Sequence, residues 1–184
     1  YKLSRVIHAH KRDIRCLDYY GGMLLTGGND KVFSLHSYHD GNHTLINSSD
    51  ICEAEIVALR INRLEGNEHL FAVLGCRNGK IYGIDREGNP CFEISHDSPI
   101  SSIDFIDSQH IITGSWDGKA IVWSLTSRAK VSEYTEHKHA VAVFFNPTTN
   151  QIVSGSQDKA LNLWEWQTGK KVLRFKTHIA ISSV

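Results

Sequence analysis

The sequence predicts an all-β protein built from repeated four-stranded antiparallel units, and three observations carry that prediction. The first is self-similarity: Ile112-Thr113-Gly114-Ser115-Trp116-Asp117-Gly118-Lys119-Ala120-Ile121-Val122-Trp123 recurs as Ile152-Val153-Ser154-Gly155-Ser156-Gln157-Asp158-Lys159-Ala160-Leu161-Asn162-Leu163-Trp164. Asp117 to Asp158 and Trp123 to Trp164 are both 41 residues, and a period of about 40 to 45 residues marks stacked supersecondary units. The second is turn chemistry: Asp117-Gly118 and Asn78-Gly79 lie between β-branched runs, where readiness for positive φ suits a tight antiparallel hairpin. The third is an absence, since no segment shows a helical 3.6 period and the prolines, Pro90, Pro99 and Pro147, fall at expected strand edges or loops.

Each unit is justified by its own residues. The first, 6–45, has His10 ahead of Leu25-Thr26-Gly27-Gly28-Asn29-Asp30-Lys31-Val32-Phe33-Ser34-Leu35. The second, 46–90, is a weaker copy that keeps Gly75-Cys76-Arg77-Asn78-Gly79-Lys80-Ile81-Tyr82. The third, 91–131, and the fourth, 132–172, are the two strong copies, preceded by His96 and His137. A fifth begins at 173–184 with His178, again 41 residues after His137, while His10 to His96 is 86 residues, or two repeats.

Composition bounds the function. The 184 residues carry 20 Lys+Arg against 20 Asp+Glu, so no charge surplus favours phosphate backbones, and neither nucleic acid nor membrane is expected as a partner. Cys16, Cys52, Cys76 and Cys91 contain no Cys-x-x-Cys pair and are expected as reduced packing thiols. The longest apolar runs, such as 71–74, fall far short of the ~20 residues that span a bilayer, and a cytoplasmic location, with the nucleus as an alternative, is the expectation. The chain begins at Tyr1, which is read as a trimmed or processed start.

The repeated residues resemble the WD40 family, whose blade carries a histidine, a Ser/Thr, a turn aspartate and a Trp in fixed order. His96, Thr113, Asp117 and Trp123 fill those positions in one unit, and His137, Ser154, Asp158 and Trp164 in the next. The first unit has His10, Thr26 and Asp30, with His36 where Trp is expected. The resemblance implies a β-propeller, incomplete at about four blades of seven, and a buried hydrogen-bonded tetrad in each full blade. Ser, His and Asp together also invite a hydrolase reading. A constellation that recurs every 41 residues and twice uses Thr is structural, however, and no nucleophile elbow, phosphate loop or dinucleotide fingerprint is present, so no enzyme activity is expected. An open arc leaves unpaired edges, which predicts self-association; a longer parent chain and two chains sharing one ring both remain open as explanations.

A narrower resemblance rests on Tyr1-Lys2-Leu3-Ser4-Arg5-Val6-Ile7, His10, Asp13-Ile14-Arg15 and the run Gly114-Ser115-Trp116-Asp117. These are similar to the N-terminal propeller of the phospholipase A2-activating protein family. That resemblance implies binding of ubiquitin or ubiquitylated proteins, recruitment of an AAA ATPase unfoldase through regions absent from this chain, and no cofactor. The alternative is a WD40 scaffold or substrate adaptor with an unrelated protein partner.

In the WD40 family that the repeats resemble, the partner surface is the rim where entry loops meet central hairpins. The corresponding positions here are Asn29, Arg77, Trp116 and Gln157 from the hairpins, and Asp13, Arg15, Pro99, Ser101, Ala140 and Ala142 from the entry strands. Trp116 and Arg15 stand out, because Trp and Arg dominate binding energy at interfaces, and Trp116 with Asp13 suits ubiquitin's apolar patch and its basic edge. His36, His39, His43 and Asp40 have a spacing that could chelate a metal, yet they read as a solvated connector. Lys170, Lys171, Arg174 and Lys176 read as a solvated strand face.

Overall fold

Runs of β-branched and aromatic residues broken by short polar turns, with one longer connection at 62–71, leave the chain one economical arrangement, the antiparallel meander. The computed structural model describes residues 8–39, 42–66 and 69–182; the leader 1–7 and Asp40 lie outside the described residues. Four sheets form in chain order. The first holds β1 (Ile14–Tyr20), β2 (Met23–Gly28), β3 (Phe33–His39) and β4 (Asn42–Ser49). The second holds β5 (Ile56–Ile61), β6 (Ala72–Cys76), β7 (Lys80–Ile84) and β8 (Pro90–Ser95). The third is β9 (Ile100–Asp107), β10 (His110–Ser115), β11 (Ala120–Ser124) and β12 (Lys130–Tyr134). The fourth is β13 (Val141–Asn146), β14 (Gln151–Ser156), β15 (Ala160–Trp164) and β16 (Lys171–Lys176). The sequence units start at 46, 91, 132 and 173, each inside the outer strand of a sheet, so every repeat carries over from one sheet into the next.

The first strands pack in succession, β1 on β5, β5 on β9 and β9 on β13, and fan the sheets into an open arc. Register decides which residues meet. Asp18, Leu25 and Leu35 lie side by side on the face of the first sheet that looks toward the second, its forward face. Tyr19, Leu24 and His36 share the opposite, rear face. Three apolar layers result. Leu25, Phe33 and Leu35 pack on Ile56, Leu74 and Ile84, Val73 and Ile81 on Ile103 and Ile111, and Ile112 and Val122 on Val143 and Trp164. Each fully buried Leu or Ile contributes roughly 1.5–3 kcal/mol.

The central hairpins turn as the dipeptides require. Gly118 sits at φ +88°, and a Cβ there would lie 2.3 Å from the His137 carbonyl oxygen, so both the backbone twist and the neighbouring chain demand glycine. Lys31 and Lys159 hold the same turn position at φ +67° and +63°. Cys16, Cys52 and Cys76 are free and gather between the first two sheets, where burial pushes the Cys16 thiol up to about 12.

Candidate functional site

The expected tetrads form, each with one member missing. In the third sheet Trp123 Nε1 donates to Thr113 Oγ1 at 2.9 Å and His96 Nε2 lies 2.8 Å from the same oxygen. Thr113 Oγ1 also lies 3.3 Å from the Ile121 carbonyl oxygen, and His96 Nδ1 is buried without a partner. Asp117 is exposed and accepts from the Lys119 N–H in its own turn instead of reaching that histidine. Burial holds the His96 imidazole down at about 4. In the fourth sheet His137 Nδ1 lies 3.2 Å from Asp158 Oδ2 and Nε2 2.9 Å from Ser154 Oγ, with Asn162 Nδ2 2.8 Å from Nε2. Here Trp164 is the absent member: its ring stacks on Tyr134 at 5.2 Å and its buried Nε1 has no partner. This Ser–His–Asp chain has hydrolase-like distances, but Ser154 is fully buried between sheets and no substrate reaches it.

The first sheet repeats the pattern with His10 Nδ1 2.9 Å from Asp30 Oδ1 and Nε2 2.8 Å from Thr26 Oγ1. His36 was open to two sequence readings, and it lies on β3 in the Trp position expected of it, buried, rather than in the solvated connector, with its Nδ1 2.8 Å from His43 Nε2 across the β3–β4 pair. His39 turns away against Gly22, so the three histidines do not converge. The basic stretch is partly neutralised, since Lys171 and Arg174 both pair with Glu136.

A row of contacts between sheets had not been anticipated. Asp18, Arg60, Asp104 and Phe144 occupy one register position on successive inner strands, pairing with Leu25, Val73, Ile112 and Val153. Asp18 accepts from the Ile61 N–H at 3.0 Å and from Arg63, Arg60 Nε donates to Asp104 at 2.9 Å, and Asp104 accepts from the Phe145 N–H at 3.0 Å. Each carboxylate is buried, and each has a guanidinium and a neighbouring-sheet amide to offset its desolvation.

Six of the ten expected rim residues lie together at the other end of the inner strands. Arg15, Ser101, Trp116, Ala140, Ala142 and Gln157 line one cavity of about 200 Å3, to which all four sheets contribute. The Arg77 guanidinium sits 5.6 Å above the Trp116 ring, and Trp116 is held by its N–H to the Pro99 carbonyl at 3.0 Å while its side chain stays exposed. Asp13 and Asn29 stand apart from the cavity lining, bonded to each other through the Asn29 N–H and the Asp13 carbonyl at 2.9 Å.

Four-stranded meanders fanned about a common axis, with hairpin residues gathered into a rim over that axis, define a β-propeller arc, an architecture that serves as a protein-interaction scaffold. The chain belongs to the WD40 family: the WD domain, G-beta repeat, matches residues 1–37, 88–124 and 128–165. It is 24% identical over 97% of its length to the ubiquitin fusion degradation protein 3 homolog of Caenorhabditis elegans, of which it covers 22%. Other relatives are named for meiotic recombination, autophagy and ribosome biogenesis. The chain spans about a fifth to about half the length of the first two relatives, 22% and 55%. Among solved structures, 95% of the chain overlays 57% of the WD40 beta propeller domain of Doa1 at TM-score 0.80 and 18% identity. The same share overlays 52% of the computationally designed Ika8 protein at TM-score 0.81 and 20% identity.

Proposed function

We propose that the rim is a protein-docking site and that its partner is ubiquitin or a ubiquitylated protein. The observation that carries the reading is the exposed Trp116 ring, backed by Arg77 and standing over a cavity beside Arg15 and Gln157. An indole pinned by its own backbone and by a guanidinium loses little freedom on binding and offers a large apolar area, as interface anchors do. The relative named for ubiquitin fusion degradation supports the choice of partner. In this reading the chain is a recognition module in ubiquitin-dependent turnover in the cytoplasm or nucleus, and an AAA ATPase unfoldase joins through regions outside it.

Titrating isotope-labelled ubiquitin with this chain and with Trp116→Ala tests the proposal. Amide shifts confined to ubiquitin's apolar patch, weakened about tenfold or more by the substitution, are expected. Absence of shifts with a folded chain overturns the ubiquitin reading and leaves a scaffold whose rim serves another protein.

A further inference from the structure

The end of the inner strands away from the rim holds a second cavity, of about 240 Å3, to which the second, third and fourth sheets contribute. Its floor is Phe105 and Ile106 near the end of β9, both buried. They belong to the two joints inside the arc, Phe105 to the apolar layer between the second and third sheets and Ile106 to the layer between the third and fourth. Leu64, 41% exposed, comes from the chain that leaves β5, and Pro147 from the chain that leaves β13. Both are held by their neighbours. The Leu64 N–H donates to Asn62 Oδ1 at 3.0 Å, and Asn62 is anchored to the Leu70 and Phe71 carbonyls at 3.0 and 2.7 Å. The turn after Pro147 is fixed by the Thr148 N–H, which donates to Asn146 Oδ1 at 3.0 Å.

Two guanidinium groups stand at this cavity, each already immobilised. Arg60 Nε donates to Asp104 at 2.9 Å, and Arg63 Nη2 donates to Asp18 at 2.6 Å while its guanidinium lies 5.5 Å from the centre of the Tyr20 ring. The anions of these pairs are buried, whereas the Arg60 and Arg63 side chains stay 33% and 45% exposed, so a visitor meets positive charge although each pair is formally neutral. The remaining nitrogens of both arginines have no hydrogen-bond partner among the described residues.

We propose that this cavity docks a linear segment of a partner protein in which an apolar side chain, Leu, Ile or Phe, lies next to Asp or Glu. Size speaks for a side chain rather than a cofactor, because small-molecule sites enclose roughly 300–1,000 Å3 and this cavity falls below that range. The apolar side chain buries against Phe105, Ile106 and Leu64, and the neighbouring carboxylate takes the unused N–H groups of Arg60 or Arg63 in a charge-assisted bond that suits the planar guanidinium fork. Because Asp18, Asp104 and Tyr20 already hold both arginines in place, little ordering cost remains to be met on binding. Asp104 thus serves two purposes, tying the third sheet to the fourth and presenting Arg60 at the cavity. The site lies at the opposite end of the inner strands from Trp116, so both ends can be occupied together, and it does not depend on the rim reading.

An array of glycine-flanked octapeptides whose central pair runs through all residue combinations, probed with the fluorescently labelled 184-residue chain, tests the proposal. Strongest capture is expected for Leu, Ile or Phe beside Asp or Glu, falling about tenfold or more when the acid becomes Asn or Gln. With the best such peptide the amide signals of Leu64, Phe105 and Ile106 should shift, and those of Trp116 and Gln157 should not. Arg63→Gln and Leu64→Glu should each weaken binding about tenfold or more, while Trp116→Ala leaves it unchanged, which separates this site from the rim. Arg63→Gln also unties Asp18; Leu64→Glu lies on an exposed connection and keeps the test decisive if the first variant loses the wild-type circular dichroism. Capture by no pair, equal capture of acidic, neutral and basic pairs, full capture by a folded Leu64→Glu chain, or capture lost in Trp116→Ala would each overturn the proposal.

Discussion

Asp104 of the third sheet accepts the backbone N–H of Phe145 in the fourth at 3.0 Å while Arg60 of the second donates to its other oxygen at 2.9 Å, so one carboxylate ties three sheets. Replacing it with Ala leaves a buried amide unpaired and a guanidinium without its anion. Asp104→Ala is expected to cost about 2–3 kcal/mol in urea denaturation, with Asp104→Asn intermediate. A cost below about 0.5 kcal/mol would show that the latch carries no weight.

Acid should weaken the fold before carboxylates titrate. His96 has its pKa lowered from the ordinary 6.5 to about 4 by burial, and burial also lowers His36 and His137. A group held below its unfolded value binds fewer protons when folded, so stability is present above the ordinary value and falls as pH drops from 6.5 toward 4. His96 alone accounts for a loss of about 3 kcal/mol over that window. Asp158 adds to it at lower pH: burial works to raise its carboxyl, but bonds from His137 and from the Lys138 and Ala160 N–H groups hold it below the usual range. Urea midpoints measured from pH 7.5 downward check the slope, which His96→Gln should flatten.

The two motif tryptophans should respond differently to the same change. Trp123 Nε1 is bonded to Thr113, whereas Trp164 Nε1 is buried without a partner. Trp123→Phe is expected to cost about 1 kcal/mol more than Trp164→Phe, since only the first loses a hydrogen bond. Equal costs in parallel denaturation curves would contradict the difference between the two networks.

The turn residues offer a matched pair. Gly118→Ala forces a Cβ against the His137 carbonyl and should cost about 2 kcal/mol or more. Lys159→Gly relieves a left-handed lysine and should gain up to about 1 kcal/mol, read as a raised thermal midpoint.

The periodicity that revealed the sheets comes from residues whose role is local: a turn at Asp117-Gly118, alternation along Ile111-Ile112-Thr113, a histidine ahead of each unit. Such signals survive in a linear string. Contacts between sheets do not, and Asp104 inside Ile103-Asp104-Phe105-Ile106 looks like a solvated strand residue until its amide partner appears 41 positions away. A trace was available, because Asp18 and Asp104 each follow their histidine by eight residues. His36 carries two signals at once: motif spacing gives it the Trp position, which is buried, while with His39 and His43 near a hairpin tip it reads as polar loop. The rim was legible through motif spacing, yet spacing does not tell that Arg77 covers Trp116 or that Asp13 turns to Asn29.

The cavity over the axis takes Arg15 from the first sheet, Val57 from the second, Trp116 from the third and Gln157 from the fourth. Whatever seats there touches the whole arc at once, so occupancy and folding are thermodynamically linked. A ligand at a hundred times its dissociation constant would add about 2.7 kcal/mol to the unfolding free energy. The rim is thus placed to act as a keystone, and losing the partner would register first as faster proteolysis of every sheet together rather than as fraying of one.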